Sequence, residues 1–211
     1  MNFLNFDKNE AMKYGNQTSA TSGKLIGTIE SARIYQTGGN IDLDLNVKPI
    51  DGRREIKYIK LNLQRTDNAG TVKEGYGLAK FNMIRGLLNL TNEASLKLRK
   101  ERQEVFGKEQ QVQIIGGMIG KQIGLVLQRH NWSITTDGNY YRYNMNILMP
   151  FDAKTNQTFS ERENAQNAKK VDSICATLKD KTDPDIGVPN YGKTNTESNS
   201  GADSDVPSYF D

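Results

Sequence analysis

Ile41-Asp42-Leu43-Asp44-Leu45-Asn46-Val47-Lys48 alternates apolar and polar residues through all eight positions. A β-strand turns successive side chains to opposite faces. The octet is therefore a strand, with Ile41, Leu43, Leu45 and Val47 toward a core and Asp42, Asp44, Asn46 and Lys48 expected toward water. Before it, Thr37-Gly38-Gly39-Asn40 is a hairpin signal, and Lys24 to Gln36, with Leu25, Ile26, Ile29, Ile34 and Tyr35, is the strand that it closes. After it, Pro49-Ile50-Asp51-Gly52 turns the chain into Ile56 to Arg65. There Ile59, Leu61 and Leu63 form an apolar row, Tyr58, Lys60, Asn62 and Gln64 form the opposite one, and Lys57 interrupts the pattern. Three strands on short turns predict an antiparallel meander.

Beyond Asp67-Asn68-Ala69-Gly70 the period changes. Leu78, Phe81, Ile84 and Leu88, widened by Met83 and Leu87, recur at helical spacing between Gly75 and Leu90, which predicts a helix packed on the meander. Ala94 to Phe106 is a second helix candidate, whose cations Lys97, Arg99, Lys100 and Arg102 are balanced by acids as on a solvated face. Extended structure resumes at Gln113-Ile114-Ile115 and Gly120 to Arg129, and Trp132 to Thr136 with Tyr140 to Phe151 form a hairpin around Asp137-Gly138-Asn139. Val171, Ile174 and Leu178 place one more helix within 161–180.

This order gives a mainly β fold with added helices. The expected form is a five-stranded, OB-fold-like antiparallel barrel with a helix between strands 3 and 4; small sandwiches and other Greek-key barrels produce similar strings. The expected division is an arm at 1–23, the barrel at 24–160, the helical segment at 161–180 and an acidic, disordered tail at 181–211, where Asp, Pro, Gly, Asn, Thr and Ser dominate.

Charge is divided between body and tail. Residues 1–160 hold 22 Lys and Arg against 15 Asp and Glu, or +7, whereas residues 171–211 hold 3 against 8, or −5. A basic body attracts polyanions, nucleic acid foremost. Cys175 and His130 are the sole cysteine and histidine, so one chain can build neither a disulfide nor a cysteine-based zinc site. Gly116-Gly117-Met118-Ile119-Gly120-Lys121 lacks both the Ser or Thr and the glycine spacing of a P-loop, and no nucleophile elbow or Cys/His pair is present. Asp42 and Asp44 could ligate a metal in a nuclease, but their alternation marks them as solvated strand positions. A non-enzymatic chain without cofactor or metal is expected. It has no apolar run long enough to span a membrane and no signal peptide, which points to the cytoplasm, a host's if the chain is phage-encoded.

Cations and aromatics interleave in two places. Arg53, Arg54, Lys57, Tyr58 and Lys60 surround the second turn and third strand, and Arg129, Trp132, Tyr140 and Arg142 surround the last hairpin, beside His130. Single-stranded nucleic acid calls for this mixture, since cations neutralise phosphates and flat side chains stack on unpaired bases. Alternation along Tyr141, Tyr143, Met145, Ile147, Met149 and Phe151 puts Tyr141 and Tyr143 in the core row and Tyr140 and Arg142 on the other face.

The ending Asp203-Ser204-Asp205-Val206-Pro207-Ser208-Tyr209-Phe210-Asp211, behind a basic β-rich body, resembles the acidic tips of single-stranded DNA-binding proteins of bacteria and their phages. Gly120-Lys121-Gln122-Ile123-Gly124-Leu125-Val126, and Asn144-Met145-Asn146-Ile147 leading to Phe151-Asp152, look more like the phage-encoded branch. The resemblance implies an OB-fold body that coats single-stranded DNA with little sequence preference in replication, recombination and repair. It also implies a tail that recruits replication or recombination proteins, and a homodimer is compatible with it. Asp203 and Asp205 would supply charge, Pro207 and Phe210 would fill a partner's pocket, and Tyr209 belongs to the same partner-binding tail. Family tips usually end on the phenylalanine, whereas here Asp211 follows Phe210. A single-strand annealing protein and a scaffolding protein are the alternatives. Deleting residues 203–211 is expected to leave folding intact and to tighten binding to single strands at low salt, measured by fluorescence anisotropy, because an internal polyanion is removed.

Overall fold

Strand β1 (Gly23–Thr37) is the spine of the molecule. Along one edge it pairs antiparallel with β2 (Asn40–Pro49), and the ladder shifts register between Ile29 and Ser31. The other edge is shared. Gly23 to Thr28 pair with β7 (Gln122–Ile134), while Arg33 and Ile34 pair with β6 (Lys108–Ile115). A bulge bends a strand and lets its two halves diverge, so β1 serves two neighbours on one side. The protein is seen here in a computed structural model that describes residues 21–189, apart from 106, 107, 137 and 139.

β3 (Ile56–Thr66) and β4 (Val72–Glu74) continue the sheet beyond β2, β5 (Leu98–Val105) continues it beyond β6, and β8 (Tyr141–Phe151) pairs with β7. The sheet is curled, mainly antiparallel and nine-stranded among the described residues, where the sequence predicted five. β3 and β8 approach each other without a hydrogen-bonded ladder, leaving the curl as a half-barrel with a seam. Helix α1 (Leu78–Leu87) packs against both strands at that seam.

The apolar rows read from the sequence meet in one core. Leu43, Leu45 and Val47 of β2, Ile59 and Leu61 of β3, Ile123, Leu125 and Leu127 of β7 and Met145 and Ile147 of β8 pack with Phe81, Ile84 and Leu87 of α1. Gly124 lies against the Phe151 ring, where a Cβ would come within 2.1 Å of it. α2 (Glu93–Leu96) is a single turn, α3 (Phe159–Glu163) follows the half-barrel, and α4 (Lys170–Thr177) buries Val171 against Val126 and Phe151 on the second face of the sheet. None of the described helices is long and apolar enough to cross a membrane.

Several expectations change. The helix expected over Ala94 to Phe106 is only α2 followed by β5. Lys97 adopts the left-handed conformation (φ 48°) and stops the turn, no apolar stripe follows Leu96, and β5 pairs residue for residue with β6 from Leu98 to Val105. Pairing outweighs the moderate helix propensity of a charged run. Gly120 to Arg129 and Trp132 to Thr136, expected as two strands, run together as one strand, β7, from Gln122 to Ile134. The helix placed within 161–180 is α4, and α3 begins just before that segment. Lys181 and Thr182, placed in the disordered tail by composition, form β9, which pairs parallel with His130 and Asn131 of β7. The arm as far as residue 20 and the tip residues Asp203, Asp205, Pro207, Tyr209 and Phe210 lie outside the described residues.

Glu161 joins α3 to α4. Its carboxylate accepts from the Thr158 N–H (2.8 Å) and hydroxyl (2.9 Å) in a capping box, and from the Lys169 (2.9 Å) and Lys170 (2.8 Å) N–H groups at the start of α4. Burial raises its pKa, and these donors overcome that and pull it down to about 2. A carboxylate with a depressed folded-state pKa stabilises the fold above its unfolded value and loses that contribution as pH falls through the folded one. Glu161→Gln should therefore cost about 1 kcal/mol at neutral pH, the size of a lost cap, and the deficit should shrink as pH is lowered from about 4.5 toward about 2, as read by urea unfolding at each pH.

Candidate nucleic-acid interface

The seam between β3 and β8 opens into a cleft of about 720 Å³. Tyr35, Asp44, Tyr58, Lys60, Asn62, Tyr76 and Lys80 line one side, and Gln128, Asn144, Asn146, Leu148 and Lys181 the other. This volume is in the range of a small-molecule site.

Its floor overturns one reading of the opening octet. Asp42 and Asp44 do face away from the core, yet they are only 1% and 2% exposed. Register explains this, because β2 is flanked by longer side chains. Asp44 lies between Arg33 and Lys60, and Asp42 between Tyr35 and Asn62. Lys60 Nζ is 2.9 Å from Asp42 Oδ2 and the Asn62 amide donates to Oδ1 at 2.9 Å. The Tyr35 hydroxyl donates to Asp44 Oδ1 at 3.3 Å, and Arg33 Nη2 stands 3.9 Å from Oδ2. Desolvation raises the Asp44 pKa, opposed first by Arg33 and then by Tyr35. Burial, followed by the neighbouring Asp44 and Asp42 charges, also raises that of the Tyr35 phenol, which stays a hydrogen-bond donor.

Tyr58 reaches the cleft by a break in the ladder. The β2–β3 register shifts between Leu45 and Val47, Tyr58 takes a left-handed φ of 57°, and its N–H donates to Asn46 Oδ1 at 3.0 Å. A tyrosine there is strained by about 1 kcal/mol or more, and the bulge turns its ring outward, 53% exposed, with the Arg33 guanidinium 5.5 Å from the ring centroid. Tyr76 is the most exposed ring of the cleft, at 77%. Gly75 and Gly77 press against Asn62, where a Cβ would come within 2.1 and 2.8 Å of backbone atoms, and Arg65 stacks on Tyr76 at 4.4 Å from its centroid. Lys80 is partly buried, which lowers its pKa, and no ion pair holds it among the described residues.

A second group lies on the β7–β8 hairpin where it runs past Met145, the last core residue of β8. Trp132 occupies a bulge and Tyr140 precedes β8, 43% and 62% exposed. Arg142 donates to Thr136 Oγ1 at 3.2 Å, and Arg129 stacks on Tyr143 at 4.1 Å while its Nε donates to Asn131 Oδ1 at 2.8 Å. Tyr141 is half-buried and Tyr143 is 39% exposed, not core residues as the alternation suggested, because the hairpin outruns the helix and strands that would cover them. His130 Nε2 lies 2.7 Å from Asp183 Oδ1 and so ties β9 to the hairpin.

The structure thus divides the residues expected at the interface. Tyr58 and Lys60 are in the cleft, and Arg129, Trp132, Tyr140 and Arg142 are on the hairpin. Arg53 is spent on Asp51, 2.8 Å away, and on the Lys24 carbonyl; Lys57 pairs with Glu55 at 3.6 Å, and Arg54 is exposed on the same turn. Sequence reasoning missed Tyr35, Tyr76, Lys80, Asn144 and Asn146. Of these only Tyr76, an aromatic between two glycines, carried a local signal. Comparison with protein-family models, curated proteins and solved structures finds no match.

Lys60 is itself half-exposed, but its removal strands the buried Asp42 carboxylate. Lys60→Met should lower stability by about 2 kcal/mol, and adding Asp42→Asn should restore most of that loss, a non-additivity measurable by urea unfolding of both variants and the double mutant.

Proposed function

We propose that this chain binds single-stranded DNA in the cleft and along the β7–β8 hairpin, as a non-enzymatic protein that coats and protects exposed strands during phage DNA replication or recombination. One observation carries the reading: Tyr58 and Tyr76 offer ring faces on one wall of an open cleft, while Lys80 and Lys181 stand at its lining without ion-pair partners among the described residues. Rings take unpaired bases at about 1 to 3 kcal/mol each, and lysines take phosphates.

The strand order supports the same reading. β1, β2 and β3, then β8 and β7 back to β1, with α1 between β3 and β7, matches the order expected of an OB-fold barrel left open at one seam, with β5 and β6 as an inserted hairpin. That fold binds oligonucleotides across its second and third strands, the face occupied here by Tyr58 and Lys60. The tip from Asp203 to Phe210 would then recruit replication or recombination proteins while the body holds the strand.

The test is affinity for mixed-sequence oligonucleotides, single-stranded and duplex, over a salt series. Single strands should bind more tightly, with a log–log salt slope of about −1.4 or steeper, as expected for the two phosphates that Lys80 and Lys181 neutralise. Tyr76→Ala should weaken binding about tenfold through one lost stack. Equal or stronger binding to duplex overturns the proposal.

A further inference from the structure

Besides the lysines, which are assigned to phosphates, three kinds of group meet in the cleft, and only one of them discriminates between bases. Rings do not, since every base has a π face. Nor do the side-chain amides of Asn144 and Asn146, two residues apart on one face of β8 and not tied to another side chain among the described residues. An amide offers an NH2 donor at one end and a carbonyl acceptor at the other, and can turn to meet either sense of a base edge.

Asp44 is different. It lines the cleft at 2% exposure, with Oδ1 receiving the Tyr35 hydroxyl, while Oδ2 is buried and receives no hydrogen bond. Arg33 is near enough to hold the charge, at 3.9 Å, but too far to donate to that oxygen. A buried acceptor without a donor is a cost that a ligand can relieve. A carboxylate is acceptor-only, so it welcomes an exocyclic amine and repels a carbonyl oxygen.

We propose that Asp44 makes the cleft select cytosine and adenine, whose exocyclic amino group stands at C4 or C6 of the base, over thymine and uracil, which carry a carbonyl oxygen at that position. The inference rests on the single-strand reading above and deepens it. A base stacks on the tyrosines, Asn144 and Asn146 hold its edge, and a turn of the Asp44 side chain brings the buried Oδ2 to N4 of cytosine or N6 of adenine. Carboxylates accept from cytosine N4 in the same way when proteins read duplex grooves.

Dye-labelled dC and dU oligonucleotides of one length separate the outcomes, because they differ only at the 4-position and N3. By anisotropy the full chain should bind dC about tenfold more tightly, the value of one good base contact. Asp44→Asn, which keeps shape but supplies a donor, should bring the two within about twofold. If that variant does not fold, as circular dichroism would show, the wild-type ratio and Asn144→Ala/Asn146→Ala decide. That double variant is at exposed or half-buried sites and should weaken dC and dU alike. Equal wild-type affinities overturn the inference, as does a dC preference that survives Asp44→Asn or collapses on loss of the two amides. Failure to bind either oligonucleotide overturns the single-strand reading instead.

Discussion

The fold depends on one strand having three neighbours. β1 keeps β2 from Gly27 to Thr37 but divides its other edge between β7 and β6, and the register shift between Ile29 and Ser31 makes that division possible. A straight strand would leave β6 and β7 competing for the same backbone groups. Once β1 bends, β7 and β8 curl toward β3, α1 wedges into the seam, and the cleft follows from strands that come close without pairing. The β5–β6 hairpin is carried away on the other half of the bend.

The floor of that cleft is an expensive way to build a sheet. Two carboxylates lie out of water, each beside a cation from a neighbouring strand, and apolar residues of similar size often replace such pairs without loss. The cost is spread unevenly. Asp42 has good partners in Lys60 and Asn62, whereas Asp44 and Arg33 each leave a buried atom without a hydrogen bond. The poorer site is the one that lines the cleft. Tyr58, the one residue of β3 with a left-handed backbone, projects into the same space. Local rules are thus broken where a ligand is proposed to sit.

What the sequence could reveal follows from this. Alternation in β2 and β3 identified the faces correctly, since register forces period two, and Leu43, Leu45, Ile59 and Leu61 are core as expected. Alternation says nothing about what stands beside a strand, so it could not show that Arg33, Tyr35, Lys60 and Asn62 close over Asp42 and Asp44. The same limit misplaced Tyr143, which keeps the core parity after the core has ended. β5 was missed because its charged residues favour a helix in isolation and become a strand only through β6. The cleft joins residues more than a hundred positions apart in the chain, Tyr35 and Asn146 among them. Tyr58 and Lys60 were found by residue type, and their opposing wall by the fold alone.

The wedge at the seam is itself braced from outside. Arg162 of α3 donates to the carbonyl oxygens of Gly86 at 2.7 Å and Leu87 at 3.1 Å, closing the C-terminal end of α1, and neighbouring Glu161 anchors the start of α4, whose Val171 is packed on the far face of the sheet. The helix at the seam is thus braced by a strut that starts at the back of the molecule, so a change at Glu161 or Arg162 would reach the proposed site through residues that do not line it.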